Sequence, residues 1–317
     1  MSATRSTPDA RVAPAAPPGT PPAAPPTPRG RTTARATLLG TVALVLWAFL
    51  APLARLAQAG AAPLPPLLLT GLGFAVGGGL ALALVAARGR LGLLRQPALA
   101  WLHGVGGLAG FHALYFASLA LAPPVEANLL NYLWPLLIVL LSAPILGLPL
   151  GPWRLAGVAM GGAGAALLLG AGAAFPASAA LGFGCALLSA LTWALYSVLS
   201  RRMAAVPTEA VAGFCLASAA QALGAHLAFE APASSLTAAQ AGAVLLLGLG
   251  PMGAAFFLWD IGMKRGDPRL LGTLAYATPV ASTLLLAASG EGVLGWRALA
   301  AAALVAGGGL VASRART

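Results

Sequence analysis

The sequence has few charged residues. Only 8% of its 317 residues are charged, against roughly 25% in a typical soluble domain, so we do not expect a water-soluble globule. Cysteine is also scarce: the two residues, Cys185 and Cys215, each lie inside an apolar stretch. Two isolated cysteines exclude a disulfide framework and a cysteine-based zinc site, and we expect no metal and no cofactor.

Long apolar runs fill most of the chain, which is 59% hydrophobic. From residue 36 onward these runs are about 20 residues long, the length that a helix needs to cross a hydrocarbon core of roughly 30 Å. The pattern predicts an all-α polytopic membrane protein. Its ten transmembrane helices are expected at 36–57, 65–87, 97–121, 124–146, 153–172, 178–200, 208–229, 238–262, 268–288 and 293–312. Residues 1–35, with nine prolines and no apolar run, are predicted to form a disordered cytoplasmic tail.

The net charge of +11 reflects membrane topology, and we expect no nucleic acid as a partner. With the N-terminus in the cytoplasm, the connections that fall on the cytoplasmic side carry nearly all of the Lys and Arg residues. Only Arg55 and Arg297 fall on the opposite side. This asymmetry is what the positive-inside rule requires. Both termini are therefore predicted to be cytoplasmic, in a multi-pass protein of the bacterial inner membrane whose surroundings are the lipid bilayer.

The two halves of the chain resemble each other. Trp47-Ala48 with Arg55 matches Trp193-Ala194 with Arg201 at a separation of 146 residues, and Tyr132 with Pro135 matches Tyr276 with Pro279 at a separation of 144. Five spans are therefore duplicated, as units 36–172 and 178–313. Because five is odd, the second unit enters the membrane with reversed polarity, which is the inverted repeat of many secondary transporters. A duplicated scaffold without transport is the alternative.

These motifs, with an Ala-Pro-Pro-x-Glu-Ala sequence at 122–127 and Gly290-Glu291 before the last span, resemble the drug/metabolite transporter superfamily in its ten-span branch of two EamA-type units. Within it the chain is most similar to the YddG-type amino acid exporters. The resemblance implies export of aromatic and other amino acids across the inner membrane. One departure is that the first unit has Gly147-Leu148 where the second has Gly290-Glu291.

Three prolines are predicted to kink spans near the bilayer midplane: Pro52, Pro135 and Pro279. Each removes one helical hydrogen bond and leaves the carbonyl four residues earlier without its helical partner. In lipid such a carbonyl must be satisfied by protein, water or solute. The functional interpretation is that these acceptors help to hold a substrate ammonium group, and a plain structural kink is the alternative.

Aromatic and polar residues near the midplane predict a cavity for an apolar or aromatic side chain. Core packing is the alternative for each of them taken singly. The candidate substrate-binding residues are Trp47, His112, Tyr115, Asn128, Asn131, Tyr132, Trp134, Trp193, Tyr196, Phe257 and Tyr276. Of these, Asn128 and Asn131 share one helix face with Pro135 and are the strongest candidates for the cavity wall.

Ionisable residues that might couple transport to protons are few. His112 lies near the middle of the third span, where its imidazole either titrates, hydrogen-bonds to substrate or is a satisfied core residue. Asp260 has Lys264 one turn later, and this spacing favours a structural ion pair, with a proton relay as the alternative.

The sequence thus predicts a secondary transporter that moves amino acids by alternating access, with no obligate protein partner. There is no Gly-x-x-x-x-Gly-Lys-Ser/Thr loop, so this chain is not expected to use ATP. The alternatives are an exporter of drugs or lipophilic cations, a lipid flippase and, remotely, an intramembrane enzyme. No HExxH motif and no Gly-x-Ser-x-Gly elbow accompanies the three histidines, so the chain is not expected to be an enzyme.

Overall fold

The computed structural model describes residues 29–147, 150–169, 177–203, 205–233, 235–266, 271, 274–291 and 294–314. Every regular element within these ranges is helical, which confirms the all-α class. The helices are α1 (Arg29–Ala48), α2 (Leu50–Gln58), α3 (Pro66–Ala87), α4 (Ala98–Leu121), α5 (Pro124–Asn131), α6 (Trp134–Leu146), α7 (Pro152–Leu169), α8 (Ala180–Ser200), α9 (Ala210–Phe229), α10 (Ala238–Leu249), α11 (Ala255–Arg265), α12 (Ala277–Ala288) and α13 (Trp296–Ser313). A π-helical turn, Gly250–Ala254, joins α10 to α11.

The helices begin where the sequence provides suitable first residues. Proline is the first residue of α3 and of α5, a position where its missing N–H would have no helical partner. At the start of α10, Thr237 and Gln240 form a capping box in which each side chain accepts from the other's backbone N–H.

The apolar composition makes this a multi-pass membrane protein. Within the described ranges, seven helical segments are long and apolar enough to cross a bilayer. They are Thr32–Gln58, Pro66–Ala87, Ala98–Leu121, Pro124–Leu146, Ala180–Ser200, Ala210–Phe229 and Ala238–Trp259. Ala277–Ala288 and Trp296–Ala312 are apolar but shorter.

One predicted boundary needs correction. Helix α1 begins at Arg29, so residues 29–35 of the predicted tail are helical. The prediction followed the apolar run alone, whereas a helix can extend past the bilayer with polar residues because its hydrogen bonds do not depend on hydropathy. Residues 1–28 lie outside the described part of the chain.

The main packing joins helices that are distant in sequence. Helix α3 packs along α9, α4 along α8, α1 along α11 and α7 along α13. Close approach of α4 to α8 depends on Gly107, because a methyl group added there would overlap the ring of Tyr196. The core between these pairs is built from buried Ala, Leu and Phe side chains together with Tyr115.

Candidate functional site: an aromatic cavity at helix breaks

Three helical segments break inside the apolar region. The chain turns at Phe49 between α1 and α2, at 132–133 between α5 and α6, and at Tyr276 before α12. Each proline singled out in the sequence lies in the first turn of the helix that follows a break: Pro52 in α2, Pro135 in α6 and Pro279 in α12. Because a first-turn proline needs no amide partner, these positions let the chain change direction at little cost.

An aromatic cluster occupies the space beside these breaks, with Trp193 of α8 at its centre. The ring of Trp193 lies near those of Phe111 (4.9 Å between centroids), Tyr196 (5.1 Å), Phe256 (6.1 Å), Trp47 (6.4 Å) and Trp134 (6.4 Å). Trp47 also contacts Phe256 at 6.0 Å and Trp259 at 5.3 Å. Most of these pairs are edge-on or tilted, the arrangements that aromatic quadrupoles favour.

A cavity of about 40 Å³ lies against this aromatic cluster. Its walls are Leu44, Trp47, Leu50, Phe111, His112, Tyr115, Asn131, Tyr132, Trp134, Trp193 and Thr278. A water needs at least about 10–15 Å³ and small-molecule sites span about 300–1,000 Å³. This central cavity therefore has room for a few waters but not for an amino acid, and the conformation is closed around it.

The indole of Trp47 is fixed by a hydrogen bond to the π-helical turn. Its Nε1–H donates to the carbonyl oxygen of Pro251 at 3.1 Å. A π-turn shifts the normal pattern of backbone hydrogen bonds, and such turns occur frequently at functional sites. The bond ties the wall of the central cavity to the junction of α10 and α11.

His112 is almost completely buried in the cavity wall. Its Nδ1 lies 2.9 Å from the carbonyl oxygen of Leu108, and because a carbonyl can only accept, Nδ1 carries a proton. Four phenyl rings surround the imidazole, those of Phe74, Phe111, Phe116 and Phe256, at centroid distances from 4.8 to 6.3 Å. The second ring nitrogen, Nε2, is the imidazole's remaining polar atom.

A buried polar network connects α4, α5 and α12 next to the cavity. The hydroxyl of Tyr115 donates to Oδ1 of Asn128 at 2.5 Å. Nδ2 of Asn128 donates in turn to the hydroxyls of Ser282 at 3.3 Å and Thr283 at 3.2 Å. Asn128 is fully buried and is not among the residues that line the cavity, so its amide acts between helices.

Asn131 makes a second link, between α5 and α8. Its Oδ1 accepts a hydrogen bond from the hydroxyl of Ser189 at 2.7 Å, and the residue also lines the central cavity. The two asparagines predicted as one polar stripe thus have different places, one in the cavity wall and one in the helix interface behind it.

Seven of the eleven predicted substrate-binding residues are cavity walls, and four lie elsewhere. Asn128 is in the network described above, and Tyr196 stacks on Trp193 and on His103 at 4.6 Å. Phe257 lines a separate groove, and the ring of Tyr276 packs closely against Gly309 of α13. The side chains of Asp260 and Lys264 lie outside the described part of the structure.

Sequence reasoning missed Phe111, Phe256 and Thr278 around the cavity. Each lies next to a residue that was singled out: His112, Phe257 and Pro279 respectively. Ser189 was detectable as a polar residue one helical turn before Trp193, where the two share a helix face.

One end of the bundle is closed by polar contacts, and we name it the Glu291 end. The guanidinium of Arg55 donates from Nε to Glu291 Oε2 at 2.8 Å and from Nη1 to the Leu119 carbonyl at 2.9 Å. The carboxylate of Glu230 accepts from the first amides of α3 and from His226 Nδ1, at 2.8–3.1 Å. Gly290 has a φ of +83°, a conformation that glycine adopts without strain and that turns the chain into Glu291.

At the opposite end, which we name the Arg88 end, the polar contacts of the described residues are more exposed. Arg90 Nη1 lies 2.6 Å from Glu209 Oε1, and the Arg90 side chain is 58% exposed. Arg202 donates to the carbonyl of Ile145. Two larger cavities open here, one of about 220 Å³ beside His103 and a groove of about 610 Å³ between α3 and α11.

The family model for the EamA-like transporter family matches the chain twice, at residues 34–170 and 180–314. The chain belongs to the EamA-like transporter family. This match confirms the resemblance that was inferred from the sequence. The protein is a membrane transporter. The chain is similar to the "Aromatic amino acid exporter YddG" of Ancylobacter novellus, with 50% identity over 282 residues that cover 88% of this chain and 96% of the relative.

A solved crystal structure matches as well. It has 49% sequence identity and a TM-score of 0.69, and the match covers 88% of this chain and 97% of that one.

Proposed function

We propose that this EamA-family transporter is a secondary exporter of amino acids, aromatic ones included, in the bacterial inner membrane. The observation that carries the proposal is the central cavity: three tryptophans, Phe111 and Tyr132 surround it, in a chain half identical to an exporter of aromatic amino acids. Indole and phenol groups give an aromatic substrate a stacking surface, and His112, Asn131 and Thr278 add polar atoms for its charged groups.

The mechanism we propose is alternating access by two inverted five-helix units, residues 36–172 and 178–313, in ten transmembrane helices. A two-fold exchange of the units would turn the α4–α8 pair into the α11–α1 pair and would map α3–α9 and α7–α13 onto themselves. The observed packing has all of these pairs. Breaks at Tyr132 and Tyr276, 144 residues apart, are further support.

Transport then requires the cavity to open on alternate sides. The helices that carry Trp47, Asn131, Trp193 and Tyr276 are proposed to rock about the breaks and enlarge the central cavity from its closed volume. We assign the Glu291 end to the periplasm and the Arg88 end, with both termini, to the cytoplasm, because Arg88, Arg90 and Arg265 are at the Arg88 end and the connections predicted on that side carry nearly all of the Lys and Arg residues in the sequence.

The test is efflux of labelled phenylalanine, tryptophan and leucine from proteoliposomes. We expect saturable efflux by the wild type and about a 2- to 12-fold lower kcat/KM for Trp193→Ala, because an aromatic substrate would lose one ring contact worth about 0.5–1.5 kcal/mol. Trp153→Ala is the matched control, since Trp153 is exposed on the outside of α7 and its loss leaves the cavity intact. Absence of solute-dependent efflux for every amino acid would refute the proposal.

A lipophilic cation is the second candidate substrate, because the faces of several aromatic rings attract cations. Competition separates the two candidates. Inhibition of phenylalanine efflux by tetraphenylphosphonium, together with tetraphenylphosphonium efflux faster than that of any amino acid, would favour the drug-exporter alternative.

Proton coupling is proposed to use His112 or Asp260. Replacement of the coupling residue by His112→Gln or Asp260→Asn is expected to abolish efflux driven by a pH gradient and to spare equilibrium exchange of substrate. Gradient-driven efflux that persists in both variants would show that neither residue couples transport to protons, and wild-type efflux that does not respond to the pH gradient would indicate facilitated diffusion.

A further inference from the structure

The groove at the Arg88 end is distinct from the central cavity. Its volume is about 610 Å³ and its walls are α3, residues 207–209 just before α9, and the α10–α11 segment with the π-helical turn. None of the residues that line it lines the central cavity. At its deep end, a methyl group added to Gly77 would lie 2.5 Å from the carbonyl oxygen of Gly248, so the two backbones meet there and close the groove towards the protein interior.

The open side of the groove faces the lipid. Leu80 and Leu84 of α3 line it and are 48% and 47% exposed, and Leu249 of the opposite wall is exposed as well. Exposed leucines within membrane-crossing helices contact lipid chains. From Gly77 to Arg88 the groove runs eleven residues along α3, about 16 Å at 1.5 Å per residue, which is close to half of a hydrocarbon core of roughly 30 Å.

The mouth of the groove is basic. Arg88, Arg90 and Arg265 line it where α3 and α11 end, and Glu209 is the one acidic residue among its described walls. Glu209 is already paired with Arg90. The surplus positive charge therefore sits at the depth of the lipid headgroups, directly above an apolar channel one leaflet deep.

From this combination we propose that the groove binds one anionic phospholipid of the cytoplasmic leaflet, with an acyl chain along α3 and the phosphate at Arg88 and Arg265. A zwitterionic lipid fills the channel equally well but gains less at the basic mouth, since each arginine near the surface contributes attraction for anionic lipid. A soluble phosphate would contact the arginines but would bury no acyl chain in the apolar channel.

The test is native mass spectrometry of the full chain, titrated with dioleoyl phosphatidylglycerol or dioleoyl phosphatidylcholine. We expect the first phosphatidylglycerol to bind more tightly than phosphatidylcholine, and each of Arg88→Gln and Arg265→Gln to weaken it about fivefold, which corresponds to about 1 kcal/mol per arginine. The matched controls are the single variants Arg95→Gln and Arg314→Gln. Each removes one positive charge at the same end of the bundle from an exposed residue outside the groove.

A second variant tests the channel without altering charge. Ala254 lines the groove and is exposed, so Ala254→Phe fills the channel, whereas Ala303→Phe on the exposed face of α13 does not. We expect weaker phosphatidylglycerol binding only in Ala254→Phe. Equal binding of the two lipids by wild type, equal losses in the groove and control variants, or full competition by glycerol phosphate would each overturn the proposal.

Discussion

The ion pair between Arg55 and Glu291 is expected to hold the Glu291 end closed. The two side chains are only 18% and 22% exposed, with 2.8 Å between Arg55 Nε and Glu291 Oε2. Glu291→Gln keeps an acceptor but removes the charge. Hydrogen bonds to charged groups contribute about 1.5–3 kcal/mol, so we expect the closed state to lose about 1–2 kcal/mol, a factor of roughly 5–30 in population.

External access to the central cavity measures this shift. Thr278 lines the cavity and is buried, so Thr278→Cys, with the partly exposed Cys185 replaced by serine, reports access by a membrane-impermeant thiol reagent added outside intact cells. The modification rate should rise about 5- to 30-fold in Glu291→Gln, because the rate follows the population of the open state. Arg55→Gln should raise it further, since Arg55 also holds the Leu119 carbonyl.

The control variant is Glu209→Gln. It removes the ion pair at the Arg88 end, where the arginine is 58% exposed, and exposed pairs contribute only about 0–1 kcal/mol. External modification should then stay at the wild-type rate. If Glu291→Gln left the rate unchanged or lowered it, the ion pair would not be the closure of this end and the reasoning above would be refuted.

Three further predictions concern stability, measured as the thermal unfolding midpoint in detergent micelles. Gly107→Ala should destabilise by about 1–3 kcal/mol because its methyl group overlaps the Tyr196 ring, whereas Gly106→Ala has open space and should be neutral; equal midpoints would contradict the observed α4–α8 contact. Asn128→Ala should cost about 1–3 kcal/mol by removing the acceptor of the buried Tyr115 hydroxyl on α4 and the link to α12, and a neutral result would disprove the network. Glu230→Ala should cost about 1–2 kcal/mol through loss of the cap on α3, and an unchanged midpoint would show that water replaces this cap.

Most of the central cavity was predictable from composition and position. A tryptophan far from either interface, followed eight residues later by a cation, indicated Trp47 and Trp193, because such a residue is too deep to be an interface anchor. The prolines likewise indicated where the helices break, since proline cannot continue a helix without losing a hydrogen bond.

The choice between Phe256 and Phe257 was not predictable. Successive residues on a helix point about 100° apart, so a small rotation decides which ring reaches Trp193. The π-helical turn at 250–254 adds a residue to one turn just before this position, which rotates α11 relative to a regular helix. A hydropathy pattern contains no sign of such a turn.

The sequence also could not predict that Arg55 pairs with Glu291. Arg55 and Gly290-Glu291 were both noticed, but the two charges are 236 residues apart and no spacing rule connects them. Their contact follows from the way α2 and the end of α12 meet, which is a property of the folded chain.

The two ends of the bundle have unequal closing chemistry. Under the proposed exchange of units, Arg55 corresponds to Arg201 and Glu291 to Leu148, and a leucine offers an arginine no charge. The ion pair of the Glu291 end is thus formed by an acidic residue that has no acidic counterpart at the repeat-related position in the sequence. We therefore expect an empty carrier to open more readily at the Arg88 end, which is the end that we assign to the cytoplasm and from which an exporter takes up its substrate.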